Sequence, residues 1–470
     1  MSSRGLRLEL ARIVIEAKTP FLVGTGRGSD LRDEVFVTDA NGLPTIPGTT
    51  IAGLLRHAIA DRDASLADDL FGSQEASSGT ASRVEVSFAQ IHGASGRPVP
   101  FLGSEMGRDE LLSFVAGGIV RDHVRIDSRG VADERGKFDE LLVPVGARFT
   151  FELVIHGDGS PAASKLVGYL GSLRVGAHTR RGHGLFRIAS LRSRRFNLEE
   201  EDDRKLWLTL PRDLSHPEPS GVLNPTKVDR SAPANILDLK LKLRPRGYWM
   251  FGGGAPMLEE HKKSKTEFHD RVPVTERRIV WNDQGQGSVS ELVTHVVPGS
   301  AVKGALRHRV AFHVRREQRA WALAKVERAD DRIDPQRPDA LAEVVELFGT
   351  IKKSSEGADV GSPGRVYIDD GYLTQVVYGQ LEHVSLDRLT QGPMAAMLFG
   401  EAPLHGGEIV LTASVDKREV SELAKKSLDL ALQDLCEGRL AIGAGSNKGH
   451  GYVSGTIEWS DGGRWIGERK

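Results

Sequence analysis

Two short stretches, GAHTRRGHG (residues 176–184) and GAGSNKGHG (443–451), set glycines beside basic and hydroxyl side chains. Glycine lets a backbone approach an anion closely and turn its amides toward it, while arginine or lysine supplies charge. His178, Arg180, Arg181 and Gly182 in the first loop, and Ser446, Asn447, Lys448 and Gly449 in the second, suit contact with phosphate. A single glycine-rich turn is usually only a hairpin; the pair favours anion contact. His183 and His450 sit in the two Gly-His-Gly closures, where a structural hydrogen bond is a commoner role than catalysis. A second pair of blocks, DEVFVTD (33–39) and DRVPVTE (270–276), each opens and closes on an acid. A free aspartate titrates at about 3.9 and is a weak base near neutrality. An aspartate can instead help to hold a hydrated divalent cation, because Mg²⁺ often takes only one or two carboxylates. By pattern alone Asp33, in the charged run GSDLRDEV, reads first as a turn residue or ion-pair partner.

These pairs belong to a longer duplication. LRLELARIVIEAK from Leu6 and ILDLKLKLRPR from Ile236 read as opening strands, the second with leucines alternating against charges. Each runs into glycines, Gly24 to Gly28 or Gly252 to Gly254, and then into the acidic block. IPGTTIAGLLRH (46–57) and VPGSAVKGALRH (297–308) read as helix starts, with Thr49 or Ser300 placed to cap them. Arg56 in one helix and Lys303 and Arg307 in the other fall opposite the apolar stripe of Ile51, Leu54, Leu55, Ala58 and Ile59. HVRIDS (123–128) is answered by HVSLDR (383–388), and the closing loops complete the series. Five blocks in one order imply two copies of one domain, 1–208 and 235–470, joined by a Pro- and Ser-rich linker at 209–234. The element order predicts an α+β fold: two tandem β-α-β-β-α-β domains of the ferredoxin type, carrying inserted hairpins and loops.

The bulk composition agrees with a soluble globular protein of 470 residues, 39% hydrophobic and 27% charged. A lone cysteine, Cys436, excludes a disulfide framework or a cysteine-cluster zinc site. No transmembrane run or secretory leader is evident, and the cytoplasm is the expected location. Net charge of −1 argues against coating nucleic acid with the whole surface, but residues 174–187 hold four arginines and no acid. GTGRGSD (24–30) lacks the Gly-Lys-Ser continuation of a nucleotide-binding loop.

The helix-start motifs, the glycine-rich closing loops and the DEVFVTD block resemble the RAMP superfamily, in particular backbone subunits of type III CRISPR effector complexes. Two such domains in one chain are similar to the fused backbone subunit of type III-D variants. The resemblance implies a palm that binds guide RNA, a hairpin that interrupts the guide–target duplex, and other effector subunits as partners. It also implies cutting of target RNA at an aspartate after the first strand, dependent on Mg²⁺ or Mn²⁺ and leaving a cyclic phosphate. Asp33 is the match in copy one and Asp270 in copy two. They lie fourteen residues before Pro47 and twenty-eight before Pro298, so the second loop is longer. The same resemblance implies guide contacts for Thr49, Arg56, Ser300, Lys303 and Arg307. A purely structural guide-binding subunit and a guide-processing ribonuclease are the competing readings.

Overall fold

The computed structural model describes residues 6–26, 28, 32–74, 79–100, 102, 109–126, 132–158, 161–170, 173–219, 221–229, 235–252, 270–320, 341–352 and 360–467. Gly253, Gly254, the end of the expected linker and parts of the polar insertions lie outside them. Copy one runs β1 (Arg7–Ala17), α1 (Gly48–Ala60), β2 (Val84–Val86), a hairpin of β3 (Ile119–Ile126) and β4 (Ala132–Leu142), β5 (Arg148–His156), α2 (Ala163–Tyr169) and β6 (Leu185–Asn197). Its main sheet is antiparallel in the order β6-β1-β5-β2. Copy two repeats the series. It runs β7 (Ile236–Pro245), α3 (Gly299–Glu317), β8 (Val366–Ile368), a hairpin of β9 (Leu381–Leu386) and β10 (Pro393–Glu401), β11 (Leu404–Asp416), α4 (Glu422–Cys436) and β12 (Val453–Trp459). Its order, β12-β7-β11-β8, is the same. The hairpins also match in register: His123 pairs with Phe138 and His383 with Phe399.

The period-two pattern of the opening strands explains how each sheet finds its core. Leu237, Leu239, Leu241 and Leu243 are buried, while Asp238, Lys240, Lys242 and Arg244 face out. On α1, Ile51, Leu55 and Ile59 recur every four residues and seal the same core from above. The expected caps do not form. The helices begin at Gly48 and Gly299, Pro47 and Pro298 hold the cap positions, and neither Thr49 nor Ser300 caps its helix. Thr49 and Ser300 fall one position inside the helix, and the glycines before them are tightly packed: a Cβ on Gly48 would lie 2.2 Å from the Val86 carbonyl oxygen and one on Gly299 would lie 2.3 Å from that of Ile368. Each first turn is therefore pressed against β2 or β8. In copy two the Gly299 N–H donates to the Asp370 carboxylate at 2.7 Å.

The two copies pack head to tail. Arg121 of β3 is almost fully buried, with its guanidinium paired to Glu276 at 2.6 Å and to Asp370. Arg174 grips Asp369 with two hydrogen bonds of 2.5 and 3.2 Å. A small hairpin between β7 and α3, Ile279–Trp281 with Gly287–Val289, lies on copy one. There Ile279 joins the core of copy one, and the Trp281 indole N–H donates to the Gly146 carbonyl at 2.7 Å. This hairpin accounts for the longer loop of copy two. The described part of the expected linker is packed as well: Leu214, Val222 and Leu223 are buried, the last two against Leu8, Leu10 and Phe196.

Removing one member of a buried ion pair strands the others without compensation, at a cost of about 3–5 kcal/mol. Arg121→Met is expected to lose that much in urea denaturation of the full chain. Adding Asp370→Asn and Glu276→Gln to it is expected to recover most of the loss.

Candidate nucleic-acid interface

The two aspartates are held in matching ways against the second strand of each hairpin. The Asp33 carboxylate accepts the Asp139 N–H at 3.0 Å, and the Asp33 N–H donates to the Asp139 carboxylate at 3.0 Å. Arg32 fixes Asp139 from the side at 2.8 Å. The Asp33 N–H and then Arg32 hold the Asp139 carboxyl below its ordinary range. Asp270 accepts the Gly400 N–H at 2.8 Å and donates its own to the Gly400 carbonyl at 2.9 Å. Both aspartates are exposed. The next residue of each loop bridges the same strand, Glu34 to Glu140 and Arg271 to Glu401. The longer loop of copy two thus returns its aspartate to the corresponding place.

One carboxylate oxygen of each aspartate is occupied by a backbone N–H, so neither builds a protein cage for a cation. A single carboxylate of this kind fits an ion that keeps most of its water and takes other ligands from a substrate phosphate. Two groups among the described residues bring three metal-ligating atoms within 4.8 Å of one another: His123, Glu140 and His183, and Glu34, Glu140 and His178. Neither contains Asp33 or Asp270.

Beneath each aspartate lies a buried carboxylate whose surroundings differ. In copy two, Glu401 meets Lys448 at 2.8 Å, His383 at 3.1 Å and Arg271 at 3.2 Å. Burial raises its pKa, but Lys448 and His383 outweigh burial and leave it below the ordinary range. In copy one, Glu140 meets His178 at 2.8 Å, and His123 and His183 at 3.5 Å each. Burial opposes ionisation of Glu140 too; His123 and His178 again outweigh it and hold the carboxyl far below the usual range. His183 and His450 are both buried. His183 is fixed by Arg121 at 3.3 Å, consistent with a structural role for that closing loop.

The closing loops part company. A Cβ on Gly182 would lie 2.0 Å from the Asp370 carboxylate, whereas one on Gly449 would meet nothing within 4 Å. The loop of copy one is docked on copy two, and Ser446, Asn447, Lys448 and Gly449 stand exposed. This corrects the expected roles of three residues. Gly182 is buried against Asp370. Arg180 donates to the Gly364 carbonyl at 2.8 Å and stacks over Tyr367. Lys303, 8% exposed, donates to the carbonyls of Arg180 at 3.0 Å and Val366 at 2.7 Å. The spacing placed Lys303 opposite the apolar stripe, but on α3 it is buried beside Val302, Leu306 and Val310, between β8 and the closing loop of copy one. Arg56 forms a half-exposed pair with Asp68 at 2.8 Å, and Thr49 is exposed.

Three arginines lie near one another along the seam between copies. Arg181 and Arg125 are exposed, and Arg307 is pushed below its usual pKa by burial and then by those two neighbours. Like charges held this close repel one another. The sequence reading did not find the seam. Asp369 and Asp370 had no repeated signal, because copy one has Ser87 and Phe88 there, and Glu276 read only as the closing acid of its block.

Comparison with known proteins agrees with the duplicated architecture. The RAMP superfamily profile matches residues 14–187 and 283–454, well over half of the sequence, and the chain belongs to that superfamily. No curated protein matches it. A cryo-EM structure of the type III-B Cmr-beta bound to cognate target RNA is similar at 17% identity and a TM-score of 0.29. That similarity covers 40% of this chain and 61% of the other. Among the described residues no helix is long and apolar enough to cross a membrane.

Burial, then Arg180, Arg181, Arg307 and Arg174, pushes the Lys303 ammonium down to about 7. Its unfolded value is about 10.4, so the unfolded chain binds more protons between those limits and stability rises with pH across them. That contribution is lost as pH falls through about 7. Urea denaturation from pH 7 to 10 is expected to show a shallower rise for Lys303→Met than for the native chain.

Proposed function

We propose that the chain is a backbone subunit of a type III CRISPR effector complex, of the fused type III-D kind. It lays guide RNA along both copies and cuts the paired target RNA beside Asp33 and Asp270. Membership of the RAMP superfamily supports the effector role. The strand order supports reading each copy as a ferredoxin-type palm. The observation that carries the cutting role is the matched anchoring of the two aspartates, each exposed and each locked to the base of an inserted hairpin.

RNA brings its own nucleophile, the 2′-hydroxyl, so alignment of that group with the phosphorus supplies a large share of the rate. The hairpins β3–β4 and β9–β10 set the spacing at which the target strand meets each aspartate. An Mg²⁺ or Mn²⁺ ion, when bound, would stabilise the departing charge. Arg125, Arg181 and Arg307 contact guide phosphates and fix position without reading sequence. Other effector subunits complete the groove. The closing loop of copy two is open where that of copy one is docked, and Phe88, at the place of Asp370, is 51% exposed. A structural role without cutting is the alternative, and the aspartate variants separate the two.

In the assembled complex, Asp33→Ala and Asp270→Ala are each expected to remove one product boundary from a mapped target RNA while target binding is retained. Unchanged product maps in both variants would leave only the structural role. Arg181→Gln is expected to weaken guide binding uniformly across sequences and to lower the slope of log affinity against log salt by about 0.7.

A further inference from the structure

We infer that copy one holds a divalent transition-metal ion, of the Zn²⁺ or Mn²⁺ class, between Glu34, Glu140 and His178. The site is distinct from Asp33 and does not depend on RNA cutting.

The first argument is a charge comparison between the copies. Glu401 is neutralised internally by Arg271 and Lys448. At the position of Arg271, copy one carries Glu34, and at the position of Gly445 it carries His178. The counterpart of Lys448 is Arg181, whose guanidinium lies toward Lys303 and Arg307 of copy two. Copy one has therefore exchanged two cations for a carboxylate and an imidazole around an already buried carboxylate. Glu140 keeps only imidazole partners there, and a bound metal ion is one of the ways proteins compensate a buried carboxylate.

The second argument is geometric. Arginine only donates, so Arg121 at 3.3 Å makes Nε2 of His183 an acceptor and puts the proton of the neutral ring on Nδ1. Nδ1 of His183 then lies 3.5 Å from Oε2 of Glu140, and Nε2 of His123 lies at the same distance from that oxygen. The opposite oxygen, Oε1, lies 2.8 Å from Nδ1 of His178, which is 3.9 Å from Glu34 Oε2. Ligands bound to one zinc ion at about 2.0–2.2 Å sit roughly 3–3.5 Å from each other, between these two separations. Glu140 itself is 1% exposed, and its Oε1 faces His178 while its Oε2 faces the other two histidines. His178 also adopts φ 55°, an uncommon backbone state for a residue other than glycine. One imidazole with two carboxylates suits Zn²⁺ or Mn²⁺ better than Mg²⁺. His183, held by Arg121, would orient the ligating carboxylate from behind.

The test uses the full chain without a polyhistidine tag. Metal content after dialysis is measured by mass spectrometry, and Zn²⁺, Mn²⁺ and Mg²⁺ are each titrated by calorimetry with thermal unfolding followed in parallel. One Zn²⁺ or Mn²⁺ per chain is expected, with a rise in melting temperature and no displacement by equimolar Mg²⁺. Glu34→Gln and His178→Ala alter partly exposed side chains, and circular dichroism verifies their folding. Each is expected to weaken binding by roughly tenfold or more, a loss at least as large as that from removing an outer partner. Arg271→Gln and Lys448→Gln, in the other copy, are expected to leave it unchanged. A native chain that binds neither ion, or equal affinity after Glu34 and His178 are both replaced, overturns the assignment.

Discussion

The Arg121 guanidinium, closed off from water between Glu276 and Asp370, is the contact on which the arrangement of the two copies depends. Asp370 also accepts the first N–H of α3 and presses against Gly182. A single carboxylate thus ties together a hairpin, a helix start and a closing loop from two repeats. Any rotation of one copy against the other would break the contacts to Arg121 and Gly182 together, while the bond to α3 stays within copy two. The cationic seam of Arg125, Arg181 and Arg307 is a consequence, because its members come from both sides of that junction.

The duplication and its element order were legible because each repeated block has a local cause. Alternating leucines write a strand, and a Pro-Gly step before a four-residue apolar spacing writes a helix start. The paired acids also stood out, since two loops of unequal length carried the same seven-residue frame. What escaped the sequence was every contact between the copies. Lys303 carried the signature of an exposed phosphate ligand, yet its amine is spent on the carbonyls of Arg180 and Val366. Gly182 looked like an anion-binding glycine, whereas its missing side chain makes room for Asp370. Repeat symmetry predicts what the copies share and is blind to a surface that only one of them buries.

The buried glutamates show the same limit from the other side. Glu140 and Glu401 occupy one position on matched hairpins, each beneath a histidine stacked on a phenylalanine at 4.9 Å. Their partners have diverged from arginine and lysine to histidine and glutamate. Neither residue lies in a block that repeats in sequence, so only the fold reveals that they correspond. The divergence separates two copies whose backbones are otherwise set up alike.

The hairpin at 279–289 links the copies in time as well as in space. Ile279 fills the core of the amino-terminal half, with Trp281 and Val289 packed around it. During translation that half emerges first and waits, its apolar interior incompletely covered, until some eighty residues beyond the end of β6 have left the ribosome. Cutting the gene at the linker would therefore yield an amino-terminal fragment with an open wound rather than an independent module.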